Sequence, residues 1–353
     1  MSTETTVQLH FSAASQQLAT HTNLSAVRSD GPVLWVAGDE TATVERLVAQ
    51  DDGWGGQVST PLADLVDLPG PAEEEADLEG LARDGHFLWA VGSHSLRRKR
   101  VKDGHEGAKA LRRLATVEGQ ANRQVLLRLP VQDVDGLPTL VPELQVDGQV
   151  QRAAVFGSKG KNLRDLLADD PRLAPFLAIP GKDNGVDIEG IAVRGDRVYL
   201  GLRGPVLRGL AVVLELHPYV DPDDPARLRL RELDDGGRYR THVLDLGGLG
   251  VRDLCPQGDD LLVLAGPTMD LDGPVRIYRW RGAMTVESAT VVRGEALTVA
   301  ADLPYGVGCD HAEGIGLLGD PADGRVLVVY DSPSPERLAG GSVTADVVQL
   351  PRP

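Results

Sequence analysis

The sequence has few cysteines, few aromatic residues and a deficit of positive charge. The two cysteines, Cys255 and Cys309, are too few for a disulfide framework, and they lack the C-x-x-C spacing of a zinc or redox motif. We expect both to be buried free thiols. Aromatic residues make up 4% of the chain, whereas there are 41 glycines and 23 prolines. This composition predicts many short strands joined by turns and few long helices.

The sequence also lacks long apolar runs and the common nucleotide-binding and hydrolase motifs. No segment approaches the roughly 18 to 20 apolar residues of a membrane span, and the first residues contain no basic segment followed by an apolar one. G-x-S-x-G, Walker and H-E-x-x-H motifs are absent, and no Rossmann fingerprint occurs in a strand-turn-helix setting. The net charge of −16 disfavours nucleic acids and anionic membranes. We therefore expect a cytoplasmic protein that binds neither.

A repeated unit is present instead. Each copy has a small-residue strand, a turn rich in Asp and Gly, and a second apolar strand. Three copies carry a Glu-Gly pair, at Glu79-Gly80, Glu189-Gly190 and Glu313-Gly314. Two weaker copies keep the spacing around Ser25 and Asp253. Repeats of about 50 to 60 residues with several strands each are typical of β-propeller blades.

The spacing of the copies predicts an all-β, single β-propeller domain over residues 1–353. The interval between the copies at Glu79 and Glu189 is about twice the other intervals, so we prefer six blades. In that case residues 100–185 would contain a degenerate blade, with Asp133 to Leu137 imitating the motif. Five blades, with an insertion-rich second blade, is the alternative. A strand at about residues 5–11 is expected to close the last blade.

Three segments, 79–100, 187–216 and 310–332, resemble a bacterial family known as domain of unknown function 3616 (DUF3616). More distantly, they resemble phytase-like and esterase-like β-propellers. The strings Gly92 to Lys99 and Gly201 to Gly209 carry most of this resemblance. The wider resemblance implies a calcium-dependent or carboxylate-lined channel that acts on phosphate or ester substrates.

The acidic motifs predict carboxylates around the propeller axis. Acids two residues apart, as in Asp77-Leu78-Glu79, lie on one side of an extended chain, with bulges or close approaches expected at Gly80 and Gly190. Converging carboxylates need a cation or a shared proton, and Ca²⁺ prefers such oxygen ligands. The candidate metal ligands are Glu79, Glu189, Asp253 and Glu313. The alternative is that each Glu accepts backbone hydrogen bonds from a neighbouring blade.

Two further groups complete the predicted site. His311 lies two residues before Glu313, so it is a candidate general base or ligand. A basic run follows the strand after Glu79-Gly80. The candidate anion-binding residues are His94, Arg97 and Arg98 from this run and Arg203, which follows Glu189-Gly190. The alternatives are a structural histidine and a solvated basic loop.

Two functions therefore compete at the sequence level. The first is a metal-assisted hydrolase of phosphate or carboxylic esters, in which Glu79, Glu189, Glu313 and His311 are catalytic and the substrate is an anionic small molecule. The second is a non-catalytic propeller scaffold that binds a protein or a small ligand on one face.

Overall fold

The apolar repeats fold into a β-propeller of five blades in the computed structural model, which describes residues 5–234, 236–269 and 271–352. Each blade is a four-stranded antiparallel sheet, and its first strand is here called the inner strand. The inner strands contact one another in the cyclic order of blades 1, 2, 3, 4 and 5. The described chain therefore forms a closed ring around one axis.

The strands of the five blades are given from the inner to the outer edge. Blade 1 contains Leu24–Asp30, Val33–Gly38, Thr43–Gln50 and Gly53–Pro61; blade 2 contains Leu78–Asp84, Phe87–Gly92, Leu126–Val134 and Ala154–Phe156. Blade 3 contains Asp187–Arg194, Arg197–Leu207, Leu210–Leu216 and Tyr239–Leu244; blade 4 contains Gly250–Gln257, Asp260–Gly266, Val275–Trp280 and Leu297–Leu303. Blade 5 contains His311–Leu317, Arg325–Asp331, Ser342–Gln349 and Thr5–His10.

Shorter elements connect and extend these blades. The additional strands are Arg97–Arg98, Val117–Glu118, Leu137–Leu140, Glu143–Val146, Gln149–Arg152, Pro218–Asp221, Asp224–Leu230, Val291–Val292 and Leu338–Ala339. The α-helices are Ala13–Gln17, Gly107–Ala115 and Leu163–Leu167. The 3-10 helices are Thr20–Thr22, Leu62–Asp64, Ala174–Phe176, Gly181–Asp183, Ala283–Thr285, Gly294–Ala296, Pro321–Asp323 and Pro335–Arg337. None of the helices in the described ranges has the length and apolarity needed to cross a membrane.

The hydrophobic core lies between the blades. The described residues form five apolar clusters, one between each pair of neighbouring blades. Between blades 3 and 4, for example, Tyr199 packs with Trp280, and both are almost fully buried. Because burying apolar surface is the main favourable term in folding, the blades stabilise one another face to face. Of the two free cysteines, Cys255 is buried between blades 4 and 5, and Cys309 is half-buried.

The strand pairing corresponds to the five-blade alternative and contains no sixth blade in the described residues. Strand Leu126–Val134 pairs with Phe87–Gly92, so it is the third strand of blade 2. The imitation motif from Asp133 to Leu137 is a hairpin turn, where Asp135 and Gly136 adopt positive φ angles. An Asp-Gly pair is as suitable for a turn as for an inner strand, which explains the incorrect preference for six blades.

Both ends of the chain form blade 5. The outermost strand, Thr5–His10, pairs antiparallel with Ser342–Gln349 along its whole length. The same strand makes a short parallel contact with the outer strand of blade 1, where Leu9 lies opposite Trp54. The junction between the first and last blades is therefore held by backbone hydrogen bonds as well as by apolar packing.

Candidate binding site at the acidic mouth

Each inner strand contains a β-bulge at the same position. In blade 2, Leu78 pairs with Gly92 and Gly80 pairs with Val91, so Glu79 has no partner in the second strand. The equivalent unpaired residues of blades 1 to 5 are Ser25, Glu79, Glu189, Arg252 and Glu313. A bulge redirects a side chain out of the alternating pattern. These five residues form a ring at the end of the propeller where the inner strands begin, here called the mouth.

A glycine follows each of the three glutamates because neighbouring inner strands are in direct contact. A Cβ atom on Gly190 would lie 2.9 Å from backbone atoms of Asp253 and Leu254 in blade 4. A Cβ atom on Gly80 would lie 3.0 Å from the backbone nitrogen of Ile191 in blade 3. The Glu-Gly pair thus combines a side chain at the mouth with a close backbone approach.

The fourth member of the ring is Arg252, and not Asp253 as the sequence alignment predicted. Asp253 occupies the position of Gly80 and Gly190 and is 0% exposed. Its carboxylate accepts hydrogen bonds from the backbone N–H groups of Leu254 and Ile315, at 2.7 and 2.8 Å. It also receives two bonds from Arg28, both 2.8 Å. With both oxygens occupied, Asp253 is not available as a metal ligand at the mouth.

Arg28 closes the centre of the ring below the mouth. This side chain, 4% exposed, extends from the inner strand of blade 1 to Asp253 in blade 4. Its guanidinium group also donates to the carbonyl oxygens of Ile191 in blade 3 and of Ile315 in blade 5. Arginine suits this position because its planar group presents several donors in fixed directions. The ion pair between Arg28 and Asp253 therefore spans the ring from blade 1 to blade 4.

One side of the mouth is neutralised by a continuous series of ion pairs. Arg203 contacts Asp187 and lies 2.8 Å from Glu189. Arg252 lies 3.3 Å from Glu189 and also contacts Glu313. This series from blade 3 to blade 5 is here called the paired arc. Its arginines already face carboxylates, so they offer little capacity for an anionic ligand.

The other side of the mouth carries carboxylates without arginine partners. Asp39 follows the second strand of blade 1, Glu79 is the bulge residue of blade 2, and Asp331 ends the second strand of blade 5. All three are half-buried, and none forms an ion pair with another residue in the described ranges. These three residues are here called the unpaired arc.

Burial and mutual repulsion raise the pKa of each carboxyl group in the unpaired arc. Burial, followed by repulsion from Asp77 and Asp331, raises the pKa of Asp39 to about 8. Burial, then Asp77 and Glu189, raises the pKa of Glu79 well above its usual range. Burial and Glu313 raise the pKa of Asp331 to about 6. At neutral pH the arc therefore shares protons in the absence of a cation.

Glu189 and Asp77, which lie outside the unpaired arc, also have raised pKa values, although arginines oppose the change. Burial raises the pKa of Glu189 to about 8 against the attraction of Arg203 and Arg252. Burial raises the pKa of Asp77 to about 6, although Arg123 lies 2.7 Å away. Desolvation thus exceeds the Coulombic gain of these pairs, as is common for buried ion pairs.

The predicted basic residues lie near the mouth but are not free. Arg203 belongs to the paired arc, Arg97 lies 2.9 Å from Glu75, and Arg98 lies 2.6 Å from Asp183. His94 is fully buried; its Nδ1 lies 2.8 Å from the carbonyl oxygen of Gly92, and its Nε2 has no described partner. Burial lowers the pKa of His94 to about 4, so this ring is neutral at physiological pH.

His311 forms a pair with Asp272 at the edge of the mouth. Its Nε2 lies 3.1 Å from Asp272, and the two residues line a narrow cavity beside Arg252. The cavity has a volume of about 10 Å³, enough for one water molecule. The structure thus places the histidine at the edge of the mouth, paired with a carboxylate that the sequence did not indicate.

The candidate calcium ligands are not arranged as a preformed metal site. Within the described ranges, no three carboxylate, histidine or cysteine side chains are close enough to share one metal ion. Nor does any described backbone N–H donate to Glu79, Glu189 or Glu313, so the alternative role in binding a neighbouring blade is not seen. Asp253 makes that kind of contact instead.

Several residues of the mouth were not identified from the sequence. Arg252 is adjacent to the aligned Asp253, and its blade, like blade 1, lacks the Glu-Gly pair of the other three copies. Asp39 lies just after the second strand of blade 1 and Asp331 at the end of the second strand of blade 5, outside the repeated Glu-Gly motif. Their shared position, next to the end of an apolar strand, was the available signal.

Solved structures resemble the chain only distantly. Glutaminyl cyclase from Myxococcus xanthus has 10% identity and a TM-score of 0.41, covering 98% of this chain and 95% of that one. The PQQ-bound aldose sugar dehydrogenase from Streptomyces coelicolor has 12% identity and a TM-score of 0.36, with 98% and 99% covered. The β-propeller domain of Cps50 (Swd1) from Myceliophteria thermophila has 10% identity and a TM-score of 0.35, with 93% and 96% covered.

The sequence, in contrast, identifies the family of the chain. No curated protein matches the chain. Residues 23–346, which extend from the start of blade 1 into the last strand of the sequence, match the family described as "Protein of unknown function (DUF3616)". The chain belongs to the DUF3616 family.

Proposed function

We propose that this protein binds a small ligand at the mouth through an ammonium or guanidinium group of that ligand. The observation that carries this proposal is the unpaired arc: Asp39, Glu79 and Asp331 lack arginine partners, and all have raised pKa values. A cationic ligand would replace the shared protons and receive charge-assisted hydrogen bonds. The proposal corresponds to the second function predicted from the sequence, a non-catalytic scaffold that binds a ligand on one face, and it specifies a cationic ligand.

An organic cation fits the mouth better than a metal ion or an anion. The carboxylates repel one another, yet no three in the described ranges are close enough to hold one metal ion. A larger organic cation can instead direct separate N–H groups to separate carboxylates. Quaternary ammonium ligands usually require aromatic cages, whereas the arcs consist of carboxylates and arginines. An anionic substrate would have to displace carboxylates from Arg203 or Arg252.

The test is calorimetric titration with agmatine, which has one ammonium and one guanidinium group, at pH 6 and pH 8. We expect tighter binding at pH 8, because the carboxyl groups with pKa values of about 6 and about 8 are then more fully ionised. Glu79→Gln should weaken agmatine binding about tenfold, because one charge-assisted hydrogen bond is lost. Glu287→Gln, at an exposed position in the loop after blade 4's third strand, is the matched control.

Calcium chloride and sodium butyrate serve as competing probes. Tighter binding of Ca²⁺ than of agmatine would favour the calcium site predicted from the sequence. Binding of butyrate that depends on Arg203 would favour an anionic ligand. Equal agmatine affinity in wild type and Glu79→Gln would disprove the proposed site.

Hydrolysis of esters is a second candidate, favoured by the separated pKa values of neighbouring carboxyl groups. Glu79 has a strongly raised pKa, while that of Asp77 is about 6, so one group could donate a proton while the other accepts one. The assay is a panel of carboxylic and phosphate esters with and without Ca²⁺. Activity that survives both Glu79→Gln and Asp77→Asn would exclude these residues from the chemistry.

A further inference from the structure

A cavity of about 290 Å³ lies at the end of the propeller opposite the mouth, at the junction between blades 1 and 5. Ser29 and Gly31 contribute from the end of the inner strand of blade 1 and from the turn that follows it, whereas Asp39 lies at the other end of the next strand. The volume is close to the lower limit for small-molecule sites. This cavity is separate from the acidic mouth.

The walls of the cavity are mainly apolar. Val33, Leu34, Leu318 and the half-buried Trp54 line it. The hydroxyl group of Ser29 already donates to the carbonyl oxygen of Leu317. An apolar or aromatic ligand would therefore gain contact with the indole ring and the aliphatic side chains.

One cation lies at the rim. Arg325, the first residue of the second strand of blade 5, is exposed and lines the cavity. Its guanidinium group forms no ion pair and no hydrogen bond with the described residues, although the protein has 52 acidic residues and a net charge of −16. The nearby Asp320 carboxylate is engaged with the backbone N–H of Ala322. The rim of an apolar cavity thus carries an arginine with all its donors available.

We propose that this cavity binds a small carboxylate with an apolar or aromatic body, held by Arg325 at the carboxylate and by Trp54 along the body. Arginine presents paired N–H donors that match a carboxylate. The apolar lining accounts for the rest of the ligand. The chemistry is opposite to that of the mouth, where carboxylates favour a cation.

Octanoate is the probe, with octanol and octylamine as ligands of equal chain length and different charge. Trp54 is the reporter, since Trp35, Trp89 and Trp280 are at most 6% exposed. We expect octanoate to change the tryptophan fluorescence and to bind about tenfold more tightly than octanol. Octylamine should bind more weakly than octanol. Trp54→Phe should remove the fluorescence change while calorimetry still detects octanoate.

Arg325→Glu should weaken octanoate binding by at least about tenfold and leave octanol binding almost unchanged. Arg293→Glu, at another exposed arginine, is the matched control and should bind octanoate like wild type. Glu79→Gln should also bind octanoate normally, which separates this site from the mouth. Both arginine variants are at exposed positions, so their melting temperatures should remain close to that of wild type.

Three results would overturn the proposal. The first is equal affinity of octanoate and octylamine for wild type. The second is unchanged octanoate affinity in Arg325→Glu. The third is a failure of all three probes to bind while Arg325→Glu converts a dimer into a monomer in sedimentation, which would make the cavity an interface between two copies of the chain.

Discussion

Replacing Arg28 by methionine should destabilise the whole propeller. The substitution keeps most of the aliphatic side chain and removes the guanidinium group that joins blades 1, 3, 4 and 5. Asp253 would remain fully buried with only the backbone N–H groups of Leu254 and Ile315 as donors. Removal of one partner from a buried ion pair typically costs about 3 to 5 kcal/mol. The freed carbonyl oxygens favour the upper part of this range.

The melting temperature should fall by several degrees. With an unfolding entropy of about 2.1 cal/mol/K per residue, a chain of this length loses about 1.4 °C per kcal/mol. The expected decrease is therefore about 4 to 7 °C, measured by calorimetry or circular dichroism at one fixed scan rate. Arg152→Met is the control. Arg152 pairs with Glu143 at 3.4 Å on an exposed hairpin, where both side chains are more than half exposed, so the change should be small.

A double-mutant cycle separates the ion pair from the packing of the side chains. Arg28→Met combined with Asp253→Ala should cost clearly less than the sum of the two single changes, because the double variant contains no unpaired buried charge. Additive costs, or a decrease of less than about 2 °C for Arg28→Met, would refute the role of this pair as the closure of the ring.

Two further predictions concern the mouth and the contacts between blades. At constant ionic strength, the melting temperature should fall as the pH rises from 5 to 9. Carboxyl groups whose pKa is raised on folding stabilise the folded state fully below their unfolded pKa. This stability is lost as the pH rises through the folded pKa, which is about 6 for Asp331 and about 8 for Asp39 and Glu189. Asp39→Asn should reduce the slope between about pH 5 and pH 8, where the folded carboxyl group keeps a proton that the unfolded one has lost. An equal slope in both proteins would contradict the assignment. Gly190→Ala should lower the free energy of unfolding by about 1 to 3 kcal/mol, because its Cβ atom would meet the backbone of blade 4. Urea denaturation measures this change, and Ala26→Gly at the equivalent position of blade 1 should cost only about 1 kcal/mol or less.

The propeller fold and three residues of the ring could be predicted from the sequence because they repeat. The Glu-Gly pair combines an unpaired bulge residue with a close backbone approach, and both requirements are local. The identity of Arg252 could not be predicted in the same way. It replaces a glutamate of the repeat and gains its meaning only from Glu189 and Glu313, which lie in different blades.

The electrostatic state of the mouth also depends on contacts that are distant in sequence. In the sequence, Asp253 resembled the acids of the other copies, but it lies one residue after the bulge residue of its strand. This difference of one position places its side chain at the contact between blades and not at the mouth. Its partner Arg28 is 225 positions away in the chain, so no motif connects them. Which carboxylates remain unpaired could only follow from the assembled ring.

The strand Thr5–His10 has a consequence for how the protein is made. Its hydrogen-bonding partner, Ser342–Gln349, is synthesised after all five inner strands, so the first strand must wait for the last blade before it can pair. Until then the outer edge of blade 1 and the unfinished last blade have no backbone partner, and exposed strand edges promote aggregation. Blades 1 to 4 can form in sequence order, whereas closure is a single late event that joins both ends of the chain. A bulky tag fused directly before Thr5 would act on that event.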